Sequence, residues 1–452
     1  MAPYVKGECH EGYQSVKQLF EQHFVDEVNE YAQLCVYVQG VKVVDLYGAR
    51  PKGGTKSRLQ YSETSLQNVF SSTKVLTSLV IAMLVDRGRL AYGQKVVEIW
   101  PEYGQCGKAE TTIAEVMRHE AGLPRFSTSI AARDLYTDAI KNGSISNLIE
   151  KEAPLFEPGS KMEYHALTRG WIVNEIVRRV DKSGRTIGEF LRDEVALPLG
   201  IANELYIGTP VTEHHRIAPI NAELQGDYLF NLKNLALPRS LGGGRVPTEP
   251  FMLRLMLIFG LSFYALGLGL DTILNLFRGS PNTNVGASIL VDELQSEKSP
   301  MTHVLFNHSE VRQGESPSAN GHASARALAA VAASVVGGGK IRDGSYALLS
   351  QNGCEEAQSN IVPRVWFDLP GFKFKTNFCN AGWNHFKNSR YGYTGWMGYG
   401  GSVCQWHNKE KIGIGFAVNL MELNLFNARA QELQLEVLKC AMALRSDVRS
   451  KL

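Results

Sequence analysis

The sequence predicts a mixed α/β protein of the α+β kind, with strands near both ends of the chain and helices between and over them. Three observations lead there. Leu34-Cys35-Val36-Tyr37-Val38 and Val41-Lys42-Val43-Val44-Asp45-Leu46-Tyr47 flank Gln39-Gly40, the pattern of a hairpin with a short glycine-containing turn. A second pair, Ser402–Trp406 and Ile412–Val418, flanks His407-Asn408-Lys409-Glu410-Lys411 close to the other end. Between the two pairs, apolar residues recur mostly at helical spacing, so strands and helices are grouped rather than strictly alternating. At 452 residues, 44% hydrophobic and 20% charged, the chain can bury a sizeable core. Length alone allows about three domains, or fewer large ones.

In chain order, Tyr13 to Asn29 places Val16, Leu19, Phe20, Phe24 and Val28 on one face of an amphipathic helix ahead of the first hairpin. Phe70 to Leu84 opens on Ser71-Ser72-Thr73-Lys74 and is then apolar almost all round, the mark of a buried helix, with Gly88 as its C-cap. Thr111 or Thr112 caps a short helix that runs into the turn Arg118-His119-Glu120-Ala121-Gly122-Leu123-Pro124. Phe156 to Ala166 is a turn followed by an extended piece delivering Tyr164, and Thr168 to Val180 is helical. Ala327 to Val336 forms an alanine-rich helix stopped by Gly337-Gly338-Gly339, and Ala428 to Leu444 closes the chain as a helix.

Leu255–Leu270 is about 16 uncharged residues, short of the roughly 20 that a spanning helix needs, and is interrupted by Gly260, Gly267 and Gly269. It reads as an apolar flap or buried helix near the active site, ahead of an interfacial segment making membrane-surface contact through 255–270, and ahead of a true span.

Bulk properties exclude several function classes. Net charge is +2 from 47 basic and 45 acidic side chains, too balanced for a nucleic-acid partner. Seven scattered cysteines without CxxC spacing fit reduced thiols in a cytosol-like compartment, and Met1–Glu8 has no apolar signal core, so a cytoplasmic location is expected. His119-Glu120 fails as the zinc motif H-E-x-x-H because position 123 is Leu, and no metal site is expected. A histidine bonding backbone in a tight turn is the preferred reading of His119 over a catalytic base.

The chemistry centres on Ser71 and Lys74. Three residues apart on a helix, they share a face, so the amine lies beside the hydroxyl. A serine hydroxyl is a poor nucleophile until a neighbour takes its proton, and a lysine of lowered pKa can do so. Burial disfavours the ammonium, and the helix N-terminus faces developing negative charge.

Taken together, these stretches resemble the serine β-lactamase superfamily: class C β-lactamases, D-Ala-D-Ala peptidases, family VIII carboxylesterases and the animal β-lactamase domain-containing proteins. The resemblance is by motif order, from about Ser15 to Cys440. It rests on the first hairpin, Ser71-Ser72-Thr73-Lys74, the His119–Pro124 turn, and Pro158-Gly159-Ser160 leading to Tyr164. Ser318-Ala319-Asn320-Gly321-His322 with Ala325-Arg326, and the glycine-rich strand before the last hairpin, complete it. It implies an antiparallel sheet flanked by helices on both faces, the β-lactamase/transpeptidase architecture. Residues 1–85 and 320–452 would form the sheet domain. Residues 86–319 would form an inserted, mainly helical subdomain carrying the apolar insertion at about 251–277.

Residue by residue, the resemblance makes Ser71 the nucleophile, Lys74 its partner and Tyr164 the tyrosine of the second motif. That motif reads Tyr164-His165-Ala166 here, without the usual third-position amide or hydroxyl. The third motif has two registers: Tyr393-Thr394-Gly395 keeps Thr-Gly without the cation, and Trp396-Met397-Gly398 matches the Trp-x-Gly of family VIII esterases. The missing cation would have met a substrate carboxylate through a charge-assisted contact, so its loss tilts the substrate towards uncharged esters or amides. Oxyanion donors are expected from the Ser71 N–H and one N–H between Trp396 and Tyr399, with no cofactor and a small-molecule acyl substrate as partner. The expected function is a serine hydrolase or acyltransferase of esterase type. The alternatives are a peptidase or β-lactamase of the same fold, and a non-catalytic scaffold or binding protein.

Overall fold

A computed structural model describes residues 3–26, 29–50, 59–221, 289–290, 304–339, 347–369, 372–385, 392–421 and 428–450. The expected insertion at 251–277, with the 255–270 segment inside it, lies outside the described residues. Among the described residues, fourteen strands run in chain order: β1 (Tyr4–Cys9), β2 (Tyr31–Val38), β3 (Val41–Ala49), β4 (Gln67–Asn68), β5 (Ile130–Ala131), β6 (Leu205–Tyr206), β7 (Ile289–Leu290), β8 (His322–Ala323), β9 (Val362–Leu369), β10 (Phe372–Phe378), β11 (Asn384–His385), β12 (Thr394–Met397), β13 (Val403–His407) and β14 (Ile412–Val418). Nine of them form one antiparallel sheet in the order β1-β3-β2-β14-β13-β12-β11-β10-β9, so the two ends of the chain meet where β2 pairs with β14.

The first hairpin closes as its sequence demands. Gln39 and Gly40 both adopt positive φ, +51° and +78°, the two-residue turn that matches strand twist. Alternation along β14 then builds two different faces. Ile412, Ile414, Phe416 and Val418 point to one side, with Leu34, Val36, Val44 and Leu46. They meet helix α1 (Gln14–Val25) through Val16, Phe20 and Phe24. On the opposite side stand Gly413 and Gly415, where a Cβ would lie 2.5 Å from the Ala333 nitrogen and 2.2 Å from the Ala325 carbonyl oxygen. Those glycines let the alanine-rich helix Ala325–Val336 dock backbone to backbone on the sheet; a methyl group at either would overpack the contact, at about 1–3 kcal/mol.

Among the described residues, the remaining α-helices are α2 (Thr73–Asp86), α3 (Ile113–Met117), α4 (Thr137–Lys141), α5 (Ser146–Lys151), α6 (Thr168–Val180), α7 (Ile187–Leu191), α8 (Ser309–Gln313), α9 (the alanine-rich Ala325–Val336), α10 (Gln351–Gln358) and α11 (Ala428–Ser450). Helix α11 joins α1 on the first face through Ala430, Leu433 and Val437. Every residue of α2 from Thr73 to Val85 is buried, which its all-round apolar surface requires. It stops at Gly88, φ +64°, whose N–H bonds the Val85 carbonyl while Arg89 N–H reaches Leu84. Thr112 is the cap of α3, reciprocated by Glu115. Among the described residues, no helix is long and apolar enough to cross a membrane.

Candidate active site

Ser71 sits in a 3₁₀ turn, Phe70–Ser72, that feeds directly into α2. The residue before it, Phe70, holds φ +43°, a left-handed conformation that a bulky side chain adopts only when its surroundings enforce it. Those surroundings are explicit. The Phe70 N–H donates to Asn68 Oδ1 at 2.9 Å, the Val69 N–H to the Gly321 carbonyl at 2.8 Å, and the ring meets Phe306 and Tyr399 edge-on. From the glycine-rich turn, Ser402 Oγ donates to the Val69 carbonyl at 2.6 Å and lies 3.2 Å from Ser72 Oγ. The chain is therefore clamped on both sides of Ser71.

Lys74 Nζ stands 3.3 Å from Ser71 Oγ and donates to the carbonyls of Ala166 at 2.8 Å and Ser318 at 3.0 Å. The side chain is 1% exposed. Burial, reinforced by the Arg169 guanidinium, holds its amine well below the usual lysine range. The third position of the second motif therefore meets Lys74 through the backbone carbonyl of Ala166.

Tyr164 places its hydroxyl 2.7 Å from Ser71 Oγ, and its ring lies 4.8 Å from Lys74 Nζ. Two histidines fix that position. His119, at φ +65°, accepts the His165 N–H on Nδ1 at 3.1 Å, and its ring packs on Tyr164 at 4.8 Å. His165 accepts the Leu123 N–H on Nε2 at 3.0 Å and approaches the Glu163 carbonyl with Nδ1 at 2.6 Å, an arrangement that puts its proton on Nδ1. Burial pushes both histidines down, His165 to about 3, so both are neutral. His119 thus bonds the backbone of the segment that carries Tyr164 rather than of its own turn, and also forms the wall behind Tyr164.

Strand β12 brings up the other side. Trp396 stacks on Tyr164 with ring centroids 6.0 Å apart and on Phe378 at 5.4 Å. Tyr393, three residues earlier on the alternating strand, faces the other way: its hydroxyl donates to the Gln434 carbonyl of α11 at 3.0 Å, within the α1–α11 core. Thr394 shares the Trp396 face, with Oγ1 2.8 Å from His385 Nδ1, while Gly395 pairs with Gln405 and Asn384. Of the two registers, Trp396-Met397-Gly398 is the one whose ring lies against Tyr164. The Gly398 N–H is spent on the Ser402 carbonyl at 2.8 Å, so by alternation the Met397 N–H points away from β13. Gly398 also lies against the turn that carries Ser71, since a Cβ there would be 2.2 Å from the Val69 carbonyl oxygen.

The Beta-lactamase family profile matches residues 18–439. The chain belongs to the β-lactamase family. It is similar to the "Esterase/beta-lactamase LipL" of Mycobacterium tuberculosis, 30% identical over 312 residues that make up 68% of this chain and 59% of that protein. The chain therefore spans about three fifths of the length of that curated relative. Among solved structures, a penicillin-binding protein homolog from Caulobacter crescentus superposes with a TM-score of 0.70 at 27% identity, covering 97% of this chain and 100% of its own. A family VIII carboxylesterase superposes with a TM-score of 0.71 at 24% identity, covering 97% and 100%, and shares the fold.

Within this β-lactamase-family chain, several residues that shape the site are silent in the sequence. Ser318 belongs to a stretch that carries the resemblance but has no role assigned by it, yet its carbonyl holds Lys74 and its Oγ accepts the Gly170 N–H at 2.8 Å. Phe378 belongs to β10, whose alternation in Phe372-Lys373-Phe374-Lys375 is the available signal. Asn68 and Ser402 carry no sequence signal for their roles, because each acts by capping backbone that is distant or strained.

Proposed function

We propose that the protein is a serine hydrolase that cleaves or transfers acyl groups from uncharged esters or amides through an acyl-enzyme on Ser71. The observation that carries this reading is the placement of Ser71 Oγ between Lys74 Nζ at 3.3 Å and the Tyr164 hydroxyl at 2.7 Å. A neutral amine has two N–H groups and one lone pair. The carbonyls of Ala166 and Ser318 take the two N–H groups, which leaves the lone pair for the Ser71 proton. Lys74 then accepts that proton as Oγ bonds to the acyl carbon. The resulting oxyanion is met by the Ser71 N–H and an outward N–H of the Met397–Tyr399 stretch. Tyr164, bonded to Oγ, passes its proton to the departing alcohol or amine and is reprotonated from Lys74. Water, an alcohol or an amine attacks the acyl-enzyme in the reverse sense.

The uncharged substrate follows from the wall beside the nucleophile. Trp396, Tyr164, Phe378 and neutral His119 form it, and Trp396 occupies the register of the family's cation. A substrate carboxylate would lose its hydration there without a charged partner. The name of the mycobacterial relative, esterase/beta-lactamase, supports the ester reading. The test is labelling with a fluorophosphonate probe and turnover of a short-chain p-nitrophenyl ester. Both should occur in the wild type and vanish in Ser71→Ala; retained activity in a folded Ser71→Ala protein would sink the assignment.

A further inference from the structure

Arg169, in the first turn of α6, is wholly buried and has no carboxylate partner among the described residues. Its Nη2 donates to Ser78 Oγ at 2.5 Å and approaches Met117 Sδ at 3.9 Å, while Nε and Nη1 have no hydrogen-bond partner. A buried guanidinium that cannot shed its proton is costly to leave unpaired, and side chains that only fill space are ordinarily apolar. Its location is specific. Ser78 is four residues beyond Lys74 on α2, one helical turn away, and Ala166, which holds Lys74, lies three residues before Arg169.

The groups around this charge are His119, His165, Tyr164, Lys74 and Cys379. Both histidines are neutral, and burial pushes the Cys379 thiol up to about 12, so it too is neutral. Arg169 is drawn down by burial only to about 10 and keeps its proton at neutral pH. It is the fixed positive charge of the cluster.

We propose that Arg169 is a positioning residue for proton transfer: its guanidinium, one turn behind Lys74, adds to burial in disfavouring the Lys74 ammonium and favours negative charge at Tyr164 and Ser71 Oγ during acylation. The inference rests on the Ser71 acyl-enzyme reading. Removing the charge lets Lys74 hold its proton to higher pH, so the acid limb of the acylation profile must move upward. A neighbouring unit charge, in surroundings of intermediate dielectric, displaces a titration by about one to two on the pH scale.

The experiment follows the rate of fluorophosphonate inactivation against pH, with the labelled serine identified by mass spectrometry, in the wild type, Arg169→Met and Arg169→Gln. The expected result is an acid limb displaced upward by about one pH unit or more. Inactivation should then be about tenfold slower below both limbs, and the gap should narrow above them to the loss that comes from weaker support of negative charge at Tyr164 and Ser71 Oγ. Ser78→Asp supplies a second route, because it leaves the guanidinium in place and cancels its charge with a carboxylate; the same upward displacement is expected. Folded variants with an unmoved acid limb overturn the proposal and leave Arg169 a packing residue, even if their activity is lower. Should both Arg169 variants fail to fold, the Ser78→Asp profile decides in the same way. Wild-type protein that is not labelled at Ser71 would instead overturn the acyl-enzyme reading on which the inference stands.

Discussion

Tyr164 shows how little of a side chain's position is its own doing. Its hydroxyl lies 2.7 Å from Ser71 Oγ because the ring is held between His119 at 4.8 Å and Trp396 at 6.0 Å. Removing the hydroxyl while keeping the ring separates the two functions. Tyr164→Phe should slow acylation by about 10²-fold or more, the scale of a positioned acid–base group. Its melting temperature should stay close to that of the wild type, because the stack survives. Burst kinetics with a p-nitrophenyl ester would measure the acylation step directly. A rate within about twofold of wild type, far short of that scale, would reduce Tyr164 to a packing residue.

At the scale of the element, the site is an agreement between two segments far apart in sequence: the Val69–Ser72 turn and the end of β12. Gly398 is where they touch. A Cβ there would lie 2.1 Å from Ser402 Oγ and 2.2 Å from the Val69 carbonyl oxygen, and Ser402 Oγ itself bonds that carbonyl. Gly398→Ala should push β12 away from the nucleophile turn. Overpacking predicts a stability loss of about 1–3 kcal/mol by urea unfolding. Activity at saturating substrate should fall by a further 10²-fold or so, the scale of losing one oxyanion donor. A variant that loses stability but keeps kcat would show that β12 does not supply an oxyanion donor. Much of this element is legible in the sequence. The Ser71–Lys74 spacing, Tyr164 behind its Pro-Gly turn and the glycine-rich strand all carry local signals. What is not legible is which of two adjacent registers faces Ser71. Tyr393 and Trp396 are both aromatic, and only pairing with β13 decides that Tyr393 turns to the α1–α11 core.

For the whole molecule, legibility follows local periodicity. The hairpin at Gln39-Gly40, the buried α2, the alanine-rich α9 and the last hairpin all declare themselves through period-2 or period-3.6 patterns. The edge strand β1 and the two-residue β11 escape because they are short or polar and are defined by their neighbours. Buried polar contacts escape more completely, and Glu315 is the clearest case. Wholly buried, it accepts from Thr186 Oγ1 at 2.6 Å, Thr137 Oγ1 at 2.9 Å, Gly188 N–H at 3.0 Å and Asn174 Nδ2 at 3.3 Å. It therefore ties α4, α6 and α7 to the strand of chain that leads into the Ser318 loop. All four donors are neutral, and burial raises its carboxyl above the usual range. The sign of the consequence is fixed. Above its unfolded-state pKa the carboxyl ionises more readily unfolded than folded, so this residue lowers stability as pH rises through that interval. Glu315→Gln removes the charge and can keep the network. The amide oxygen can accept from Gly188 and Asn174, and the amide N–H groups can donate to the two threonine hydroxyls, which are free to rotate. At pH above the raised carboxyl range, Glu315→Gln should therefore be as stable as wild type or more so. The gain should be about 1.4 kcal/mol for each tenfold by which folding weakens the acidity of the carboxyl. The difference should shrink towards zero or reverse as the pH is lowered and Glu315 takes up its proton. Urea unfolding of both proteins across this range measures the crossing. A variant less stable at every pH would mean that the four donors require the carboxylate itself, and that this junction of the helices is held by charge.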